Sequence, residues 1–281
     1  MSPEGSNLMK TLYIDCRCGM SGDMTLGAML SLGVPLRVLE EGLASLGLNE
    51  FELAVCEKVY RGFTVTDVNV ILYNKEHAWI HPYSGKYRNY AEIKEMIGRS
   101  GLSDRVQDLS RRIFDIKAAA ESVAHGVPVD EVQFHEVGAV DSIVDIVGTA
   151  ICVDYIGADR VVSRVVPTGF GTVECACGTL PVPAPAVCAI LEQTGLPHCR
   201  GEVEQELLTP TGAAILAGIV DEFLENEEFE RAWDEELDRV SDEKPESPVC
   251  VGGEDSVAPV RVGFGTGKRD TGLPPLAMMV C

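Results

Sequence analysis

The chain has 281 residues, a hydrophobic share of 46%, a charged share of 24% and a formal net charge of −21. This is the balance of a globular protein long enough for one sizeable core or two smaller ones. Its acidity argues against nucleic acid or an anionic membrane surface as partner, and no apolar run approaches the roughly 18 to 20 residues that span a bilayer. The ten cysteines have neither zinc-ribbon nor CxxC spacing, and no export signal precedes them. They are expected as reduced thiols in the cytoplasm.

Residues 1–8 are polar and are expected as a disordered extension or a leftover of expression, so that the folded chain starts at Met9. Thr11 to Asp15 reads as a short buried strand. Cys16 to Asp23 follows as a glycine-containing loop before a helix from Met24 to Leu32, and a second helix begins at Pro35. A strand, a glycine loop and a helix in that order leave backbone N–H groups free at the helix start, where an anion can sit. Asp15, Ser21, Gly22 and Asp23 are the candidates there. The plainer reading is a tight turn with Asp23 capping the helix.

Glu52 to Tyr60 and Thr64 to Tyr73 alternate around Arg61-Gly62 and predict a hairpin. Residues 74–89 form a polar-aromatic loop in which His77 and His81 are candidate metal ligands or simply solvated histidines. Helical spacing predicts helices over Tyr90 to Ile97 and Leu102 to Ala124, the second ended by Gly126 and Pro128.

The densest chemistry lies in residues 133–149. Val127 to Phe134 reads as extended, and Gly138 to Ile156 as a helix apolar nearly all round, hence buried. Asp141 and Asp145 are four apart and share one helix face. Two buried like charges repel, and a cation between them, or a proton on one, relieves the repulsion. His135 and Glu136 sit just upstream, suited to metal binding or to acid–base work. The alternative is structural: Asp141 caps the helix, Asp145 bonds to backbone, and His135 is a satisfied core histidine.

Arg160 to Val166 reads as a strand and Gly169 to Gly178 as another after a glycine turn. Cys175 and Cys177, two apart on a strand, face the same side and suit a soft metal or a shared buried position. Leu180 to Pro185 is a rigid segment opening a helix over Ala186 to Gln193. Thr209 caps and Pro210 starts a helix continuing through Val220, a second possible anion site with Thr209 and Thr211 as candidates. Residues 221–258 are an acidic insertion or linker, expected as a solvated helix face or loop. Val260 to Gly265 and Leu276 to Val280 regain strand character. The fold class is α/β (mixed α+β): one main domain over 9–220 with a mixed sheet and packed helices, and terminal strands over 259–281.

Taken together, these motifs resemble the LarC-type nickel insertion proteins. The resemblance rests on Tyr13-Ile14-Asp15-Cys16 through Gly19-Met20-Ser21-Gly22-Asp23-Met24 and on Phe134-His135-Glu136-Val137-Gly138-Ala139-Val140-Asp141-Ser142-Ile143-Val144-Asp145. Leu180 to Ala186, Leu208 to Ala213 and Gly263 to Asp270 support it. It implies insertion of Ni2+ into pyridinium-3,5-bisthiocarboxylic acid mononucleotide, in making the nickel-pincer cofactor of lactate racemase-type enzymes, linked to CTP hydrolysis with Mg2+ or Mn2+. On that reading His135 and Glu136 are catalytic, one of them as the base that removes the ring proton. His135, Asp141, Asp145, Cys177, His77 and His81 are the nickel candidates, and Asp15, Ser21, Gly22, Asp23, Thr209 and Thr211 hold the substrate and its phosphate.

The chain departs from the family pattern in a histidine-run thinned to His77 and His81, in Cys177 where histidine is frequent, and in the acidic stretch. The resemblance also implies a CTP-associated C-terminal module starting near residue 270 and here cut short, supplied by a separately encoded partner or lost by truncation. A homo-oligomer is expected. The rival readings are a nickel-binding metallochaperone half without activity of its own and a metal-independent phosphate-ester enzyme.

Overall fold

The computed structural model describes residues 10–60, 63–72, 88–134, 139–175, 178–240 and 261–266. Strand β1 (Lys10–Asp15) leads into helices α1 (Gly22–Ser31) and α2 (Leu36–Ala44), then into the hairpin of β2 (Phe51–Tyr60) and β3 (Phe63–Leu72). Helices α3 (Tyr90–Arg99), α4 (Asp104–His125) and α5 (Val140–Ile156) follow, then the short strands β4 (Arg160–Arg164) and β5 (Val166–Pro167). A second hairpin, β6 (Gly171–Cys175) with β7 (Gly178–Val182), precedes α6 (Pro185–Thr194), β8 (His198–Cys199) and α7 (Pro210–Ile219). The last described elements are β9 (Glu222–Leu224), α8 (Asn226–Val240) and β10 (Arg261–Thr266). This is the α/β architecture expected from the sequence.

The main sheet runs β10-β1-β4-β9. Strands β1, β4 and β9 are parallel, and β10 is antiparallel to β1. Its two faces differ because side chains alternate along each strand. Leu12, Ile14 and Val161 enter the main core, while Tyr13 and Val162 pack on Phe229 and Trp233 of α8.

Helix α5 is the hub of the main core. Every residue from Ser142 to Val153 is buried, and the helix packs against α1, α2, α4 and α7. Gly148 lets α1 and α2 pack closely on α5, because a Cβ there would lie 2.9 Å from both Leu26 and Leu39. The all-round apolar pattern predicted this burial. Local signals also fixed several helix ends. Asn89 and Glu92 form a capping box on α3, the Ser103 hydroxyl accepts from Val106 N–H on α4, and α4 ends at Gly126 with φ +68°.

The structure differs from the sequence reading at several places. Helix α1 begins at Gly22, so Ser21 holds the N-cap position, and Asp23 lies inside the first turn. The stretch Val127 to Phe134 is not continuously extended. Pro128, with its fixed φ, opens a 3-10 turn over Val129–Glu131 before Gln133 bridges to Asn89. The strand expected over Arg160 to Val166 breaks after Arg164, since β1 ends at Asp15 and Val166 pairs with His198 instead. Much of the acidic stretch is helix α8. Glu227, Glu228 and Glu235 face solvent, but Phe229 and Trp233, four apart, are buried as one apolar stripe against the sheet. The strand expected over Leu276 to Val280 lies outside the described residues.

Candidate functional site

Ligands of open α/β sheets bind beyond the carboxyl ends of the parallel strands. At that end of β1 the loop over residues 16–21 runs against the segment that precedes α7. Met20 N–H donates to the Leu207 carbonyl at 2.8 Å, and Thr209 N–H donates to the Met20 carbonyl at 3.2 Å. The contact continues into α7, where a Cβ on Gly212 would lie 2.1 Å from the Met20 carbonyl oxygen. Only glycine lets the two helix starts approach so closely.

Helix α5 joins the same junction. The carboxylate of Asp145 lies against Gly22, the first residue of α1, and a Cβ on Gly22 would fall 2.1 Å from Asp145 Oδ2. A carboxylate is favoured there, because the N-terminal end of a helix carries partial positive charge and unused N–H groups. The α1 N-cap Ser21 makes no side-chain capping bond; its hydroxyl donates to Asp23 Oδ1 instead. On α7 the Thr209 hydroxyl caps as expected, accepting from Gly212 N–H at 3.1 Å.

The third link is Lys117 of α4, a residue that the sequence reading overlooked. It is 1% exposed, and its ammonium donates to Ser142 Oγ at 2.6 Å and to Thr211 Oγ1 at 2.7 Å. Ser142 is in the first turn of α5 and Thr211 in that of α7, so one cation ties two helix starts together. The ammonium also lies 5.4 Å from the centre of the Phe134 ring, within cation–π range. A sequence signal existed. Val106, Ser110, Ile113, Phe114 and Lys117 follow one helical stripe, and the others are all buried.

Asp15 is fully buried at the end of β1, inside an ion network that no local pattern announced. Arg17 meets it at 2.7 Å and Arg164 at 3.5 Å, and both guanidiniums also meet Glu230 of α8. Among the described residues, two arginines meet two carboxylates in this cluster. It braces the ends of β1 and β4 beneath the glycine loop. Cys16, next to Asp15, is buried beside Ser163 and Arg164. Burial pushes its thiol from 9.0 up to about 12, so it stays protonated.

The structure thus brings together Ser21, Gly22, Asp23, Asp145, Thr209 and Thr211 at one junction. Asp15 sits beneath the junction. Asp141, in the first turn of α5, is half-buried, whereas Asp145 one turn on is 4% exposed. His135, Glu136, His77, His81 and Cys177 lie outside the described residues. The residues that flank the His135-Glu136 segment, Phe134 and Ala139, are both buried. Phe134 is wedged between Tyr90 and Phe114. Among the described residues no three His, Cys, Asp or Glu side chains are arranged to hold a metal ion, and no helix is long and apolar enough to cross a membrane.

Comparison with known proteins places the chain in a family. The profile described as "Nickel insertion protein" matches residues 12–232. A pyridinium-3,5-bisthiocarboxylic acid mononucleotide nickel insertion protein of Acetivibrio thermocellus is 40% identical over 266 residues, covering 94% of this chain and 58% of the relative. Proteins of the same name from Clostridium kluyveri and Geobacillus kaustophilus are 46% and 43% identical over 225 and 216 residues. These alignments cover 79% and 76% of this chain and 56% and 52% of the relatives. The chain therefore spans about half the length of the curated relatives it matches. No solved structure matches it. A profile match over most of the chain, supported at this identity, shows that the chain belongs to the nickel insertion protein family.

Proposed function

We propose that this chain is the metal- and substrate-binding half of an insertase that loads Ni2+ into pyridinium-3,5-bisthiocarboxylic acid mononucleotide. The observation that carries the reading is the meeting of three helix starts beyond the carboxyl end of β1, within the segment matched by the family. Helix starts favour a phosphate group, which this substrate carries. The first turns of α1 and α7 are the binding surface for it, with Ser21, Asp23 and Thr209 at the rim and Gly22 and Gly212 keeping the backbones close. Thr211 faces Lys117 and braces the wall.

Ni2+ is the cargo. It needs imidazole, carboxylate or thiolate ligands that bind it firmly enough to collect and loosely enough to release to two thiocarboxylate sulfurs. His135, Glu136 and the half-buried Asp141 supply such groups at the entrance of α5, with His77, His81 and Cys177 as further donors. Asp145, deeper and packed on α1, contributes charge to the inner wall. His135 or Glu136 takes the ring proton as the nickel–carbon bond forms. CTP and Mg2+ or Mn2+ act through a C-terminal module or a separately encoded partner. The setting is cytoplasmic, where thiols stay reduced, and the assembly is a homo-oligomer.

The test uses untagged protein, Ni2+, the mononucleotide substrate, CTP and Mg2+, with and without a C-terminal segment from a full-length relative. Nickel incorporation only when the segment is added supports the half-enzyme reading. Nickel binding without incorporation in either case favours the metallochaperone. Absence of nickel binding at excess metal, or a binding isotherm unchanged in His135→Ala, refutes the nickel reading.

A further inference from the structure

The buried ammonium of Lys117 has no place in the functional reading so far. Two neutral hydroxyls are poor compensation for an ion removed from water. Its surroundings make this worse, since both hydroxyls belong to first turns of helices, whose ends carry partial positive charge. A negative group must therefore be close. Helix α5 supplies two: Asp141 precedes Ser142, and Asp145 lies three residues beyond it, a neighbouring position on the helix surface. Lys117, held at Ser142, reaches the turn of α5 that carries those acids, and brings a cation to it from α4.

We propose that Lys117 is a resident counter-cation of the nickel site, a positioning residue that neutralises the α5 acids while no metal is present and keeps nickel affinity low enough for transfer. The inference rests on the reading of Asp141 and its neighbours as the nickel side of the junction. It also explains how a metal-transfer site stays folded without metal. On this proposal the acids share their turn of α5 with an ammonium fixed by two hydroxyls. An arriving divalent ion then competes with that charge. A positive charge fixed beside the site lowers its affinity for a divalent ion by Coulomb repulsion.

The experiment measures Ni2+ binding by equilibrium dialysis, and melting with and without Ni2+, for the full chain and for Lys117→Met, Lys117→Arg and Asp141→Asn. Lys117→Met is expected to bind Ni2+ about tenfold more tightly than the parent and to gain more thermal stability from the metal. Lys117→Arg, which keeps the charge, stays within about twofold of the parent. Tighter binding separates a counter-charge from a merely structural lysine, whose loss leaves affinity equal or weaker. Should Lys117→Met fail to fold, Lys117→Gln keeps donors for both hydroxyls without the charge and carries the same expectation. Equal or weaker binding in a folded Lys117→Met or Lys117→Gln, with nickel lost in Asp141→Asn, overturns this inference and leaves the nickel site standing. Absence of nickel binding in every protein, the parent included, overturns both.

Discussion

Replacing Gly22 with alanine tests the packing at the junction directly. Gly22 is the first residue of α1, and its φ is not in the left-handed region. Helix propensity alone therefore predicts a gain of up to about 1 kcal/mol from Gly→Ala. The structure predicts the opposite. The new methyl would fall 2.1 Å from Asp145 Oδ2, 2.3 Å from its Cγ and 2.5 Å from its Cβ. The last of these is not the loose end of a flexible side chain, so α1 and α5 must separate. Overpacking of this kind costs about 1 to 3 kcal/mol, more where backbone has to move. At about 2 to 4 °C per kcal/mol for a chain of this size, Tm should fall by roughly 5 to 10 °C. Urea unfolding with an unchanged m-value gives the free energy. In an Asp145→Gly background the methyl meets none of those three atoms, so Gly22→Ala becomes neutral or stabilising. The coupling between the two changes should be about 2 kcal/mol or more. A Gly22→Ala protein as stable as the parent, or more so, refutes the packing described here.

The other predictions concern separate parts of the fold. Thr209→Ala removes the α7 cap and should cost about 1 kcal/mol in urea unfolding, with Thr209→Ser close to the parent. Phe229→Ala should cost about 3 kcal/mol or more where unfolding is global; if α8 instead detaches on its own, limited proteolysis within residues 226–240 rises while the main transition stays in place. Cys16 and Cys152, both pushed from 9.0 to about 12 by burial, should resist iodoacetamide at pH 8, whereas the exposed Cys56, Cys175, Cys188 and Cys199 react, as intact mass will show. The same two thiols make alkali destabilising. The unfolded chain loses their protons above about pH 9 while the folded chain retains them until about pH 12, so stability falls across that window. The slope is about 1.4 kcal/mol per pH unit for each thiol, and it should flatten in Cys152→Ala.

Much of this fold is legible in single-residue patterns. The apolar circumference of α5 announces a helix buried on all sides, and Asn89, Ser103, Gly126, Thr209 and Pro210 mark helix ends by their own backbone chemistry. Where tertiary contact decides, the sequence is silent or misleading. Asp141 and Asp145 share a face, as four-residue spacing requires, but about 6 Å of rise separates them along the axis. That distance carries Asp145 under α1 and leaves Asp141 at the edge. Glutamates dominate the α8 segment and obscure the two aromatic residues that bind it to the sheet. Asp15 and Arg17 lie two residues apart, but Arg164 and Glu230 join them from distant parts of the chain, and nothing local announces that meeting. Lys117 was legible as a charge on an apolar stripe, but not its partners.

Helix α5 touches four other helices and is buried from Ser142 to Val153. Among the described residues, the amide protons of that buried stretch should be among the slowest to exchange with solvent, because exchange needs the core to open. Asp145 is mounted within that buried stretch, and Asp141 stands at its edge. On the function proposed above, α5 is a fixed post that keeps one geometry while metal is captured and released.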